Sequence, residues 1–333
     1  MKKIISGLQA TDSLTLGNYI GSIKSLVELQ NENNLYVFIA DLHSITVPID
    51  PKDLEKNRKS IVCLYKACGL DFKKSKIFYQ SSIIEHSHLA YILMCHSNLG
   101  ELNRMNQFKS KSLKQSNKTE TIPTGLLIYP CLMAADILLY DADIVPVGND
   151  QKQHIELTKI LADRFNKKYK SKIFKIPEFY PPKIGGRIMD LLDPTVKMSK
   201  SSENKKGTIF LLDKIEDIRK KIMGSKTDSL NNVIFDIENQ PGVANLLTIY
   251  SSLSGLSIKE IEKKYINKNY GDLKKDLADI VCKFVEDIQK KYNDAKNNKN
   301  LDKEIKLNSS VCKKEAHNKI KEIHKILGLE YEY

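Results

Sequence analysis

Over roughly the first 190 residues, short apolar runs alternate with stretches of helical period; from about Ile215 onward only the helical period remains. The runs Lys3–Leu8, Tyr36–His43, Lys76–Gln80 and Ile144–Val147 have strand length. Between them Asn18–Gln30, Pro51–Cys68, Ser87–Leu99, Tyr129–Tyr140 and Gln151–Phe165 carry helical patterns. Strands separated by whole helices have room for crossovers, and crossovers make neighbouring strands parallel. The expected fold is therefore α/β, a parallel sheet over residues 1–195, followed by a smaller all-helical domain over 196–333. In the latter Ile258–Tyr265, Leu273–Tyr292 and Val311–Leu327 are amphipathic and rich in lysine. Lys109–Thr121 and Asn293–Lys306 are polar and aperiodic and read as mobile loops.

The chain has 333 residues, enough for two domains, and its 41% hydrophobic content can supply their cores. No apolar run approaches the ~18–20 residues that span a bilayer, and the apolar stretch after Met1-Lys2-Lys3 is too short for a secretion signal. A cytoplasmic protein with no membrane partner is expected. Six scattered cysteines without a Cys-x-x-Cys pair argue against structural zinc and a disulfide framework, leaving reduced thiols. His43, His86, His88 and His96 show no metal spacing and read as structural. The net charge of +12 suits a polyanionic partner such as nucleic acid, although lysine abundance throughout the chain would produce it too.

Two segments carry chemistry. The first strand runs into Gly7-Leu8-Gln9-Ala10-Thr11, and a helix begins near Gly17-Asn18. A strand, a glycine-bearing turn and a helix start can form an anion site through free backbone N–H groups. Neither of the common phosphate fingerprints, G-x-x-x-x-G-K-[ST] or G-x-G-x-x-G, is present, so a plain βα connection reads equally well. The second segment is Lys197-Met198-Ser199-Lys200-Ser201, on a loop between the two halves. Two lysines flanked by small residues can close over a triphosphate and neutralise charge developing on a leaving pyrophosphate.

The helix Tyr129–Tyr140 holds a third feature. Tyr129, Met133, Asp136 and Tyr140 share one face, while Leu132, Ala135 and Leu139 line another. A helix apolar nearly all round is buried, so Asp136 needs a partner. A buried donor that is not itself an acceptor would match a carboxylate. From the residues alone, a helix-end or salt-bridged aspartate fits as well.

Taken together, Thr15-Leu16-Gly17-Asn18 and Lys197–Ser201 resemble the paired HIGH and KMSKS signatures of class I aminoacyl-tRNA synthetases. SGLQ at Ser6, IADLHSIT at Ile39, GELNRMNQFK at Gly100, the block Tyr129–Thr158 and GGRIM at Gly185 are similar to the bacterial tryptophanyl branch, from Met1 to about Leu327. The resemblance implies a Rossmann-like catalytic domain and a helical anticodon-binding domain. It also implies activation of L-tryptophan with ATP to Trp-AMP and pyrophosphate, then transfer to the 2′-OH of the terminal adenosine of tRNA(Trp), in a homodimer. Mg²⁺ would arrive with ATP, with no metal site on the protein. The implied catalytic residues are Thr15, Gly17, Asn18, Lys197 and Lys200. ATP contacts fall on Gln9, Ala10, Thr11, Gly17, Asn18, Gly148, Asn149, Asp150, Ile188, Lys197, Met198, Ser199, Lys200 and Ser201. Tryptophan contacts fall on Ile5, Gly7, Tyr129, Met133, Asp136, Val145, Val147 and Gln151, with His154 and Thr158 continuing a polar stripe from Gln151 toward the substrate amine. Asp150 also reads as a helix N-cap, and Lys111 as a further contact to the triphosphate. The chain departs from the family at Ala10 and Asp12, which stand where proline and glycine are usual, and at Thr15, where many class I enzymes have histidine.

Overall fold

The computed structural model describes residues 1–11, 13–109, 122–181, 187–200 and 204–330; Asp12, Lys111 and Ser201 lie outside them. Five strands form one parallel sheet in the order β3-β2-β1-β4-β5: β1 (Lys3–Gln9), β2 (Asn34–Ala40), β3 (Lys76–Tyr79), β4 (Ile144–Pro146) and β5 (Glu178–Tyr180). The four sequence-expected strands are present. The edge strand β5 escapes the pattern because it is three residues long and has Pro177 and Pro181 on either side.

The pleat sends alternate residues to opposite faces. Ile4, Leu35, Val37, Ile39 and Ile77 join one apolar cluster; Ile5, Tyr36, Phe38, Phe78 and Val145 join the other. On the sheet's connections lie α1 (Leu16–Asn18), which passes through a wider turn at Tyr19–Ile23 into α2 (Lys24–Leu29), then α3 (Asp41–Ser44), α4 (Pro51–Ala67), α5 (Glu85–Met94), α6 (Leu99–Asn103), α7 (Thr124–Leu138) and α8 (Lys152–Lys168). The later helices are α9 (Ile215–Met223), α10 (Pro241–Ser254), α11 (Ile258–Lys264), α12 (Tyr270–Lys296) and α13 (Leu301–Leu327).

Two differences from the sequence pattern have clear causes. The second strand stops at Ala40 and not at His43, because the Asp41 carboxylate accepts hydrogen bonds from Ser81 N at 2.9 Å and Ser81 Oγ at 2.6 Å and pairs with Arg58 Nε at 2.8 Å. Those bonds turn the chain into α3 and bring His43 round to the carboxyl end of the sheet. The polar stretch Asn293–Lys306 is largely helical, the end of α12 and the start of α13. Ala295, Leu301 and Ile305 are buried there, and Lys66 pairs with Glu304 at 2.6 Å; three apolar residues in a polar string are too few to register as periodicity. The late helices pack on the sheet domain itself, α12 against α4 and α13 against β3 and α5.

Candidate active site

At the carboxyl end of β1 a cavity of about 170 Å³ opens between the sheet and α7. All eight candidate ring-binding residues line it: Ile5 and Gly7 from β1, Tyr129, Met133 and Asp136 from α7, Val145 and Val147 at β4, and Gln151 before α8. A Cβ on Gly7 would stand 2.4 Å from Phe38 Cζ, so only glycine leaves the Phe38 ring in place on the cavity wall.

Asp136 is fully buried at this cavity, and three donors already serve it. Gln80 Nε2 lies 2.7 Å and His86 Nδ1 2.6 Å from Oδ1, and His43 Nε2 lies 2.8 Å from Oδ2. This corrects the expectation that the carboxylate depends on a substrate for a partner. Burial alone would raise its pKa, but the hydrogen bonds from His43 and His86 outweigh that effect and hold the group below the ordinary aspartate range. An ionised carboxylate offers about four acceptor positions. Two are taken on Oδ1 and one on Oδ2, which leaves Oδ2 room for a single further donor. Nearby, the Tyr129 hydroxyl bonds His154 Nε2 at 2.7 Å, and burial, assisted by the charge of Asp150, pushes the phenol up to about 12. His154 and Thr158 are buried away from the cavity, so only Gln151 of the expected stripe reaches it.

A second cavity of about 420 Å³ adjoins the first. Its lining includes Gln9, Thr11, Asn18, Ser22, Lys197, Met198, Ser199 and Lys200. Thr15 is wholly buried; its hydroxyl accepts from Asn18 N at 3.0 Å while Asn18 Oδ1 accepts from Thr15 N at 3.1 Å. This reciprocal cap shapes the turn, and it occupies the Thr15 side chain away from the cavity. Gly17 is also buried, where an added Cβ would come within 3.4 Å of Ile188 Cβ and 3.5 Å of Met198 Cβ. Ala10 is buried, and Ile188 is buried beside the loop root.

The lysine loop is fixed at its base. Met198 N donates to Ile188 O at 3.0 Å and Asp190 N to Val196 O at 2.8 Å, a short antiparallel pairing anchored by the buried Met198 side chain. Lys197 is exposed, and Lys200 Nζ donates to Thr11 Oγ1 at 2.5 Å, so the loop lies across the first turn. Gly148 lines a small third cavity with Gly21, Ser22, Ser25, Pro146, Val147 and Tyr180; Asn149 and Asp150 are exposed. Asp150 is not the N-cap expected of it: Gln151 holds that place, and the Asp150 carboxylate accepts from Gln151 Nε2 at 2.9 Å. Among the described residues no group of three or more His, Cys, Asp or Glu side chains is arranged to hold a metal, and no helix is long and apolar enough to cross a membrane.

Residues 1–286 match the family model described as tRNA synthetases class I (W and Y). The chain belongs to that family. Among relatives of this synthetase, the tryptophan–tRNA ligase of Malacoplasma penetrans is 59% identical over 330 residues, 99% of this chain and 98% of that one. The crystal structure of tryptophanyl-tRNA synthetase from Mycoplasma pneumoniae superposes with a TM-score of 0.91 at 43% identity, covering 99% and 98% of the two chains. The Campylobacter jejuni tryptophanyl-tRNA synthetase, complexed with ADP and tryptophan, gives a TM-score of 0.81 at 30% identity, covering 98% of this chain and 100% of that one. The expected α/β fold and family membership both hold for this synthetase.

Sequence reasoning missed the partners of Asp136. His43 stood inside the quoted run IADLHSIT and His86 was passed over as structural; Gln80 carried no signal. Each lies on a different element from α7, and no spacing rule connects them.

Proposed function

We infer that the chain is a tryptophan–tRNA ligase: it activates L-tryptophan with ATP and transfers it to the 2′-OH of the terminal adenosine of tRNA(Trp). One observation carries the mechanism: Gln9 lines both cavities, so the apolar pocket with its buried carboxylate meets the lysine-flanked pocket at a single side chain. An amino acid with its ring in the first pocket and a nucleotide with its phosphates in the second would bring a carboxylate and an α-phosphate together there.

In this reading Asp136 Oδ2 accepts the indole N–H, with Ile5, Gly7, Met133, Val145 and Val147 against the ring faces and Tyr129 and Gln151 at its polar margin. Gln9, Thr11 and Asn18, with the Ala10 and Gly17 backbone, hold the phosphates. Gly148, Asn149 and Asp150 serve the ribose side and Ile188 the adenine. One carboxylate oxygen of tryptophan attacks the α-phosphorus in line; the bond to the bridging oxygen breaks and pyrophosphate departs. Lys197 and Lys200 neutralise the charge that builds on it, with Met198 anchoring the loop, Ser199 and Ser201 completing it, and Mg²⁺ carried by the nucleotide. The adenosine hydroxyl then attacks the anhydride carbonyl and AMP leaves. Thr15 acts by shaping the turn. We assign residues 1–195 to catalysis and 196–333 to the closing loop and the anticodon end of the tRNA, whose phosphates suit the +12 charge. A homodimer in the cytoplasm is part of the same reading. Sedimentation would test the dimer.

ATP–pyrophosphate exchange with each of the twenty amino acids tests the activity. Exchange that depends on tryptophan is expected; exchange supported equally by tyrosine would overturn the substrate assignment.

A further inference from the structure

Behind Asp136, on the side away from the cavity, stands a second buried pair. His86 is fully buried, with Nδ1 2.6 Å from Asp136 Oδ1 and Nε2 2.9 Å from the Tyr140 hydroxyl. Both rings sit against Phe78, the histidine also against Phe38 and the tyrosine against Tyr36. Neither lines a described cavity, and neither takes part in adenylate formation. A carboxylate, an imidazole and a phenol in a row inside an apolar cluster each cost free energy unless partnered. Packing alone would be served as well by leucine and phenylalanine.

We propose that His86 and Tyr140 are positioning residues for amino-acid recognition, clamping Asp136 Oδ1 so that Oδ2 stays presented to the ring pocket as an acceptor. This rests on the role assigned above to Asp136. Tyr140 can only donate while its hydroxyl stays protonated, and burial raises that phenol well above its ordinary pKa. The donated hydrogen bond occupies the Nε2 lone pair, so the imidazole proton is fixed on Nδ1, where it donates to Asp136. Gln80 Nε2 supplies the second donor on the same oxygen. With Oδ1 doubly held, the carboxylate cannot swing. Without the Tyr140 hydroxyl, the imidazole is free to move its proton to Nε2 and turn a lone pair toward the carboxylate, which would push Asp136 out of register.

Tyr140→Phe, His86→Leu and His86→Asn, assayed by ATP–pyrophosphate exchange and tryptophan binding at equilibrium, separate positioning from packing. Tyr140→Phe and His86→Leu should raise the KM for tryptophan about tenfold or more, with the KM for ATP and the kcat at saturating tryptophan unchanged. His86→Asn places an amide N–H near the former Nδ1 and should recover most of the loss. In an Asp136→Asn background, Tyr140→Phe should add nothing further. Parallel losses in kcat and both KM values together with a lowered Tm, and no rescue by asparagine, would mark the pair as packing and overturn the proposal. Asp136→Asn costly but Tyr140→Phe harmless overturns the clamp alone; Asp136→Asn harmless overturns the role of Asp136 as well.

Discussion

Replacing Asp136 by asparagine tests how the ring is read, and the geometry fixes what the amide must do. Asparagine keeps one acceptor oxygen. Two donors, Gln80 Nε2 and His86 Nδ1, converge on the Oδ1 position, so the amide oxygen settles there and the NH₂ takes the place of Oδ2. His43 can adapt, because it is partly exposed and either ring nitrogen can carry its proton. The indole N–H cannot adapt, and it meets a donor where it met an acceptor. A hydrogen bond to a charged partner contributes about 1.5–3 kcal/mol, so kcat/KM for tryptophan should fall roughly tenfold to a little over a hundredfold. The most direct assay compares tryptophan with the isostere carrying sulfur in place of the indole N–H. The wild-type preference for tryptophan should collapse in Asp136→Asn, with the isostere's own kcat/KM nearly unchanged. An unchanged ratio of the two substrates would refute the assignment of Asp136 to the ring nitrogen.

Lys200→Ala should slow pyrophosphate exchange far more than it weakens equilibrium binding of tryptophan; equal losses would show that the loop serves binding and not charge build-up. Gly7→Ala forces the Phe38 ring or β1 to move away from a 2.4 Å approach, an overpacking cost of about 1–3 kcal/mol. Melting temperature should drop, and the KM for tryptophan should rise while that for ATP holds. Because the folded-state pKa of Asp136 lies below the ordinary value of 3.8, its ionisation stabilises the fold at every pH above that value, and the contribution is lost as pH falls through the lower folded-state pKa. Urea melts of wild type and Asp136→Asn should therefore differ by a constant amount near neutrality and converge only below about pH 4; convergence between pH 6 and 8 would contradict the depressed carboxyl.

Parts of the site were legible because their cause is local. Tyr129, Met133 and Asp136 share a face by helical geometry, and all three reach the cavity. Lys197 and Lys200 stand out by their order in a loop, whereas Ile5 and Gly7, which strand alternation sends to the same side of β1, were named by the family resemblance. Thr15 was expected among the catalytic residues, yet its hydroxyl caps α1, since a threonine oxygen can serve a ligand or a helix start and only the turn's closure decides between them. Asp150 went the other way, expected to cap α8 and found beside the cap.

The sequence by itself determined the parallel sheet and the shared face of Tyr129, Met133 and Asp136, because strand and helix periodicity are properties of neighbours along the chain; the rest of the ring pocket came from the family resemblance. Tertiary structure alone decided the state of Asp136. Its three donors come from positions 93, 56 and 50 residues away, on three separate elements. Burial in a low-dielectric interior makes such distant partners decisive, since a carboxylate removed from water takes its charge and direction from whatever the fold sets against it.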